Sequence, residues 1–124
     1  MRDIETREDI KFLVDSFYQK VQMDEELNHV FNGVAQLNWE KHLPKMYEFW
    51  ESIVWKNNVY SGNPMQVHKN LHGKIPLTKS MFDNWLRLFN QTVDENFEGK
   101  NAHEVKTRAL SIATMIQVKT LYSK

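Results

Sequence analysis

The chain contains no cysteine. Structural disulfides, thiolate zinc sites, iron–sulfur clusters and cysteine nucleophiles are therefore excluded. It has no apolar run long enough to span a membrane. Its first residues, MRDIETRED, are charged and carry none of the apolar core of a signal peptide. Neither sign of charge dominates, since 16 Lys+Arg face 16 Asp+Glu and the net charge is zero. Nucleic acid is not the expected partner, because phosphate binding needs concentrated positive charge. No internal repeat, low-complexity tract, linker or strand pattern interrupts the 124 residues. These absences leave the expectation of one domain over residues 1–124, cytoplasmic, with no membrane or nucleic-acid partner. A chain of this length buries about two-thirds of its unfolded surface and needs no covalent staples.

What is present is aromatic and helical. Four Trp and seven Phe are a heavy load for a small chain, and such rings either fill a dense core or line a large apolar ligand. In TREDIKFLVDSFYQKV the apolar positions Ile10, Leu13, Val14, Phe17, Tyr18 and Val21 recur with the period of one helix face. Thr6 and Asp9 resemble a helix-start cap. A short helix over DEELNHVF should end near Asn32-Gly33. The next helix, LNWEKHLPKMYEFWESIVWKNN, is expected to carry Pro44 near its first turn, where a missing N–H is tolerated. It shows two apolar stripes, Leu43-Tyr47-Trp50-Val54 and Met46-Phe49-Ile53, with His42 in line with the second. One stripe suffices against a core. A second means burial on two sides, or cover by something that is not protein.

After the turn-rich NNVYSGNP, the segment PMQVHKNLHG reads as a short helix with Pro64 at its start and Gly73 at its end. Met65 and Leu71 are its main apolar contacts. Two long helices complete the chain. One has Phe82, Trp85, Leu86, Phe89, Val93 and Phe97 on a face, with Thr78 as N-cap and Gly99 as stop. The other turns Val105, Ala109, Ile112, Ala113 and Ile116 inward. The expected fold class is all-α.

Three metal chemistries compete for the histidines. His68 and His72 are four apart on one helix face and could chelate zinc, but HKNLH has Lys69 where HExxH has its glutamate base. Glu26-Leu27-Asn28-His29 is one copy of the Glu-x-x-His pair that a di-iron bundle needs twice. Haem needs one proximal histidine and a flat slot lined by aromatics. The second stripe of the 39–55 helix and the loosely anchored helix around His68 are compatible with it. An ordinary surface or core role for each histidine stays open from spacing alone.

Several separated motifs narrow the choice: FYQKV at 17–21, LNHVF at 27–31, WEKHLPKMYEFW at 39–50, YSGNPMQVH at 60–68 and FDNWLRLFNQTVDENF at 82–97. In this order and spacing the sequence resembles a group III truncated haemoglobin, from about Ile10 to Ile116. The resemblance implies a truncated globin fold, a two-over-two helical sandwich, holding haem b (iron protoporphyrin IX). It implies His68 as the proximal iron ligand. It implies Tyr18, His42 and Trp85 as distal residues that stabilise a bound ligand, and Phe31, Met46, Phe49, Leu71, Phe82 and Trp85 as haem contacts. His72 has no matching role and reads as a helix-end residue, favoured there by the helix dipole. Apart from the resemblance, each residue has a plainer use: Tyr18, Trp85, Phe31 and Met46 as core, His42 as an exposed or capping side chain.

The expected ligand is a diatomic gas, dioxygen or nitric oxide. Tyrosine O–H and tryptophan N–H are donors suited to partly charged dioxygen. Two such donors slow its release, which favours chemistry on reactive oxygen or nitrogen species over oxygen transport. Enzymatic turnover would be nitric oxide dioxygenase- or peroxidase-like, with His42 as acid/base, and would draw on an unidentified reductase. A monomer is expected. The alternative is a cofactor-free, globin-like helical interaction module, in which a partner chain covers the Met46-Phe49-Ile53 stripe.

Overall fold

A computed structural model of the chain describes residues 1–28, 39–56 and 78–121. The described elements are α1 (Arg7–Met23), a short α2 (Glu25–Asn28), α3 (Trp39–Trp55), α4 (Lys79–Asn96) and α5 (Lys100–Leu121). Among the described residues every regular element is helical. The expected helix around His68 and the end of the DEELNHVF helix lie outside them, as do Phe31, Leu71 and His72.

α1 starts where the sequence signals it. Thr6 Oγ1 accepts the Asp9 N–H at 3.2 Å, while Asp9 reaches back to the Thr6 N–H at 3.0 Å, a reciprocal capping box. All six positions of its apolar stripe are buried. Phe17, Val14 and Val21 are at most 1% exposed. α1 packs against both α3 and α4, and α5 packs against α4 and α3. Two helix pairs, α1 with α3 and α4 with α5, therefore lie across one another. Across the α1–α3 seam the register runs antiparallel: Tyr18 meets His42, Asp15 meets Tyr47, and Arg7 bonds Glu51 at 3.1 Å.

α3 departs from expectation at Pro44, which is the sixth residue of the helix rather than part of its first turn. Proline removes the N–H that would bond Glu40 C=O. The helix continues because Leu43 before the proline and Met46, Tyr47 and Trp50 after it pack against the core, while Pro44 itself is exposed. α4 follows the sequence closely. Thr78 Oγ1 caps it by accepting the Met81 N–H at 3.2 Å, and Phe82, Phe89, Val93 and Phe97 are buried. Its centre is Phe89, fully buried among Phe17, Trp50 and Trp85. In α5, Val105, Ala109, Ala113 and Ile116 face inward, with Ile112 half-buried beside them.

The residues before α1 form a latch. Asp3 accepts the N–H groups of Asn101 at 2.9 Å and Ala102 at 2.8 Å, capping the start of α5. The Asn101 amide donates to Ile4 C=O at 2.8 Å, and Glu98 N–H donates to Arg2 C=O at 3.0 Å. Ile4 is fully buried in the main core. Burial alone would raise the Asp3 pKa, but the N–H groups of Asn101, Ala102 and Ile4 outweigh it and hold the carboxyl below its ordinary value. Gly99 permits this approach: its φ is +143°, and a Cβ there would lie 2.6 Å from Asp3 Cγ. Asp9, 5% exposed, is the neighbouring anchor. Burial would raise it too, but the Glu5 and Thr6 N–H groups and the Arg2 guanidinium hold it below the usual range.

Candidate functional site

The site is built where three helices present one polar pair among apolar side chains. Tyr18, on the last buried turns of α1, is 6% exposed. Its phenol oxygen lies 3.3 Å from His42 Nε2 on α3, and the two rings meet edge to face at 5.3 Å. The residues are 24 apart in sequence, and the α1–α3 crossing brings them together. Burial pushes the Tyr18 phenol far above its ordinary value, so it keeps its proton across the physiological range. The direction of the shared bond depends on the imidazole tautomer. With the proton on Nδ1, Tyr18 donates to Nε2. With the proton on Nε2, His42 donates to Tyr18, which keeps its own O–H for another acceptor. His42 is half-buried, so one side of the pair reaches toward solvent.

Trp85 reaches this pair from α4 through Phe17. The Phe17 ring is 4.9 Å from Tyr18 and meets Trp85 edge to face at 5.4 Å. Trp85 in turn stacks on Phe89 at 5.7 Å with 10° between planes. Phe17 is fully buried and fixes both neighbours. Its apolar stripe predicted burial, but nothing in the sequence marked it as the wedge between Tyr18 and Trp85.

Of the two α3 stripes, the first has Trp50 buried with Leu43, Tyr47 and Val54 half-buried, while the second has no fully buried member. Met46, Phe49 and Ile53 are all half-buried, packed on the edge of the core, and so are Met81, Trp85 and Leu86 of α4. Phe49 meets Trp50 edge to face at 5.1 Å. Phe82, 7% exposed, sits deeper, with Ala113 and Ile116 of α5. Of the sequence-predicted site residues, the structure thus brings Tyr18, His42 and Trp85 into one region and sets Met46 one turn after His42. His68, Phe31 and Leu71 lie outside the described residues. So does His29, hence neither the zinc pair nor the Glu-x-x-His pair can be placed. Among the described residues no three His, Asp or Glu side chains gather to hold a metal, and no helix is long and apolar enough to cross a membrane.

Comparison with known proteins agrees with the fold. Residues 3–118 match the family model described as bacterial-like globin. The chain is 29% identical over 114 residues to the group 3 truncated hemoglobin ctb of Campylobacter jejuni, covering 90% of this chain and 87% of that protein. The crystal structure of group III truncated hemoglobin from Campylobacter jejuni superposes with a TM-score of 0.83. It covers 97% of this chain and 95% of that chain, at 26% identity.

Proposed function

Because the chain belongs to the bacterial-like globin family and has the truncated globin fold, we propose that it is a haem-binding globin for a diatomic gas. Its work is chemistry on reactive oxygen or nitrogen species rather than oxygen transport. The observation that carries this reading is the Tyr18–His42 pair, 3.3 Å apart, with Tyr18 buried and Trp85 joined to it through the Phe17 ring. Burying a phenol costs stability unless its hydroxyl is hydrogen-bonded, and His42 on the facing helix supplies that partner while keeping both polar atoms at the edge of an apolar wall.

The described residues fit one face of a haem. Met46 and Phe49 of α3 and Trp85 of α4 offer half-buried apolar surface suited to a flat ring, and the polar pair stands at its edge. Haem b supplies the iron at which a gas binds and reacts. His68 would hold that iron, with Phe31, Leu71 and Phe82 completing the apolar surround. The apolar wall excludes water, which strengthens every hydrogen bond inside it. Tyr18 Oη carries a proton that stays in place, because burial holds the phenol neutral. Trp85 N–H is the second donor candidate. His42 is the residue able to exchange protons with solvent, being half-buried and bonded to Tyr18. That position suits an acid/base in peroxidase-like or nitric oxide dioxygenase-like turnover, fed by a separate reductase.

The test is a titration of the purified protein with hemin, wild type beside His68→Ala. A sharp Soret band in wild type that weakens or shifts in the variant is the expected result. No specific haem spectrum in either protein would overturn the reading. It would favour instead a cofactor-free module whose Met46-Phe49-Ile53 stripe meets a partner chain.

A further inference from the structure

The α1–α3 seam holds a second polar contact that the pocket does not use. Half-buried Tyr47 donates its phenol proton to the Asp15 carboxylate, and Lys11 Nζ lies 6.0 Å from the centre of the Tyr47 ring. One turn after Tyr47 on the same helix face stands Trp50, 3% exposed. Trp50 stacks on Phe89 at 4.8 Å with 22° between planes, and Phe89 stacks on Trp85 at 5.7 Å with 10°. Three nearly parallel rings therefore run from the Trp85 edge of the pocket to the helix turn that carries Tyr47. Edge-to-face contacts are as favourable for packing as stacked ones, so packing alone does not require this column.

We propose that Tyr47 is a redox-active tyrosine, which passes electrons to the haem pocket along the Trp50–Phe89–Trp85 column and its proton to Asp15. The proposal rests on the haem-globin reading. Oxidation of a phenol requires loss of its proton, and a carboxylate already accepting that proton is the partner the step needs. Burial and the bond to Asp15 push the Tyr47 pKa up to about 12, so the proton remains on the phenol until an electron leaves. Phe89 is too hard to oxidise and serves as a packed bridge between two indoles.

The oxidant is hydrogen peroxide reacting in the pocket. Its O–O bond breaks on taking up two electrons and, with two protons from solvent, gives two waters. Tyr47 delivers the electrons one at a time. In each delivery its O–H bond breaks, the electron enters the column, the proton moves to Asp15, and a neutral tyrosyl radical is left. An external one-electron reductant such as ascorbate returns a hydrogen atom to the radical, and Asp15 releases its proton to solvent.

The test uses haem-loaded protein mixed with one equivalent of hydrogen peroxide, frozen, and read by electron paramagnetic resonance. Wild type should give a tyrosyl signal that ascorbate quenches. Tyr47→Phe should lose it while keeping the wild-type Soret band and helical circular dichroism. Asp15→Asn, which still accepts a hydrogen bond but cannot take the proton, should lose it as well. An undiminished signal in either variant, or none in a wild type with an intact Soret band, overturns the proposal. If Tyr47→Phe does not fold, Asp15→Asn decides alone. A wild type with no Soret band at all would instead sink the haem-globin reading, and this one with it.

Discussion

Replacing Tyr18 by Phe isolates one atom of the site. The ring stays, with its contacts to Phe17 at 4.9 Å and to His42 at 5.3 Å, and only the hydroxyl is lost. The folding cost is small, because His42 is half-buried and water can replace the lost partner of Nε2. The functional cost is larger. A hydrogen bond to a charged acceptor contributes about 1.5–3 kcal/mol, so its loss should speed dioxygen dissociation roughly 10- to 150-fold. The lower end is expected here, since His42, released from Tyr18, can turn a ring N–H toward the ligand. The assay is stopped-flow displacement of dioxygen by carbon monoxide from the reduced, haem-loaded protein. The double variant Tyr18→Phe, His42→Leu should then move toward the upper end. In wild type the rate should stay flat through about pH 10, the ordinary tyrosine value, because burial lifts Tyr18 above it. A Tyr18→Phe rate equal to wild type would refute the donor role, and an alkaline step near pH 10 would refute the burial argument.

Phe89→Ala should cost about 3–5 kcal/mol in urea unfolding, since the ring is fully buried against Phe17, Trp50 and Trp85. A loss of under about 1 kcal/mol would contradict its central place in the core. Gly99→Ala should destabilise by about 1–3 kcal/mol from its positive φ and its approach to Asp3. In an Asp3→Gly background part of that penalty should vanish, and strict additivity of the two changes would show that they do not meet. The carboxyls of Asp3 and Asp9 are held below their ordinary values. Their contribution is therefore fully present above the unfolded value, about pH 3.9, and is lost as pH falls through the folded values. Urea midpoints should drop below about pH 4, less steeply in Asp3→Asn, and parallel curves for the two proteins would contradict this.

Helices with one clear stripe were legible. All six stripe positions of α1 are buried, and Thr6 and Thr78 cap where short polar side chains precede apolar periodicity. The latch was not legible, because Ile4 is a lone apolar residue in a charged run and has no period to betray it. Asp9 was readable as half of a capping box, but its bond to Arg2 depends on how the chain folds back. Pro44 was placed too near the helix start, since local proline rules do not count the packing that holds α3 on both sides of it. The pairing of Tyr18 with His42 follows from helix crossing, which spacing within one helix cannot show. The family resemblance suggested it, and the distance now supports it. The column from Trp85 to Trp50 needed coordinates, because ring planes leave no trace in sequence.

The Asp3 latch also bears on the order in which the chain assembles. Its bonds join residues 98 and 99 positions apart, against 32 for Tyr47 and Asp15. Closing the longer loop from an open chain costs about 1 kcal/mol more. The latch is worthwhile only once the helices between have already drawn its ends together. It is then the last contact to close and the first to open. Backbone amides of Asn101 and Ala102 should exchange with solvent before those of α1 and α4. Substitutions at Asp3 should hasten unfolding while leaving the refolding rate unchanged. The strength of the latch therefore governs how long each folded molecule lasts rather than how quickly it forms.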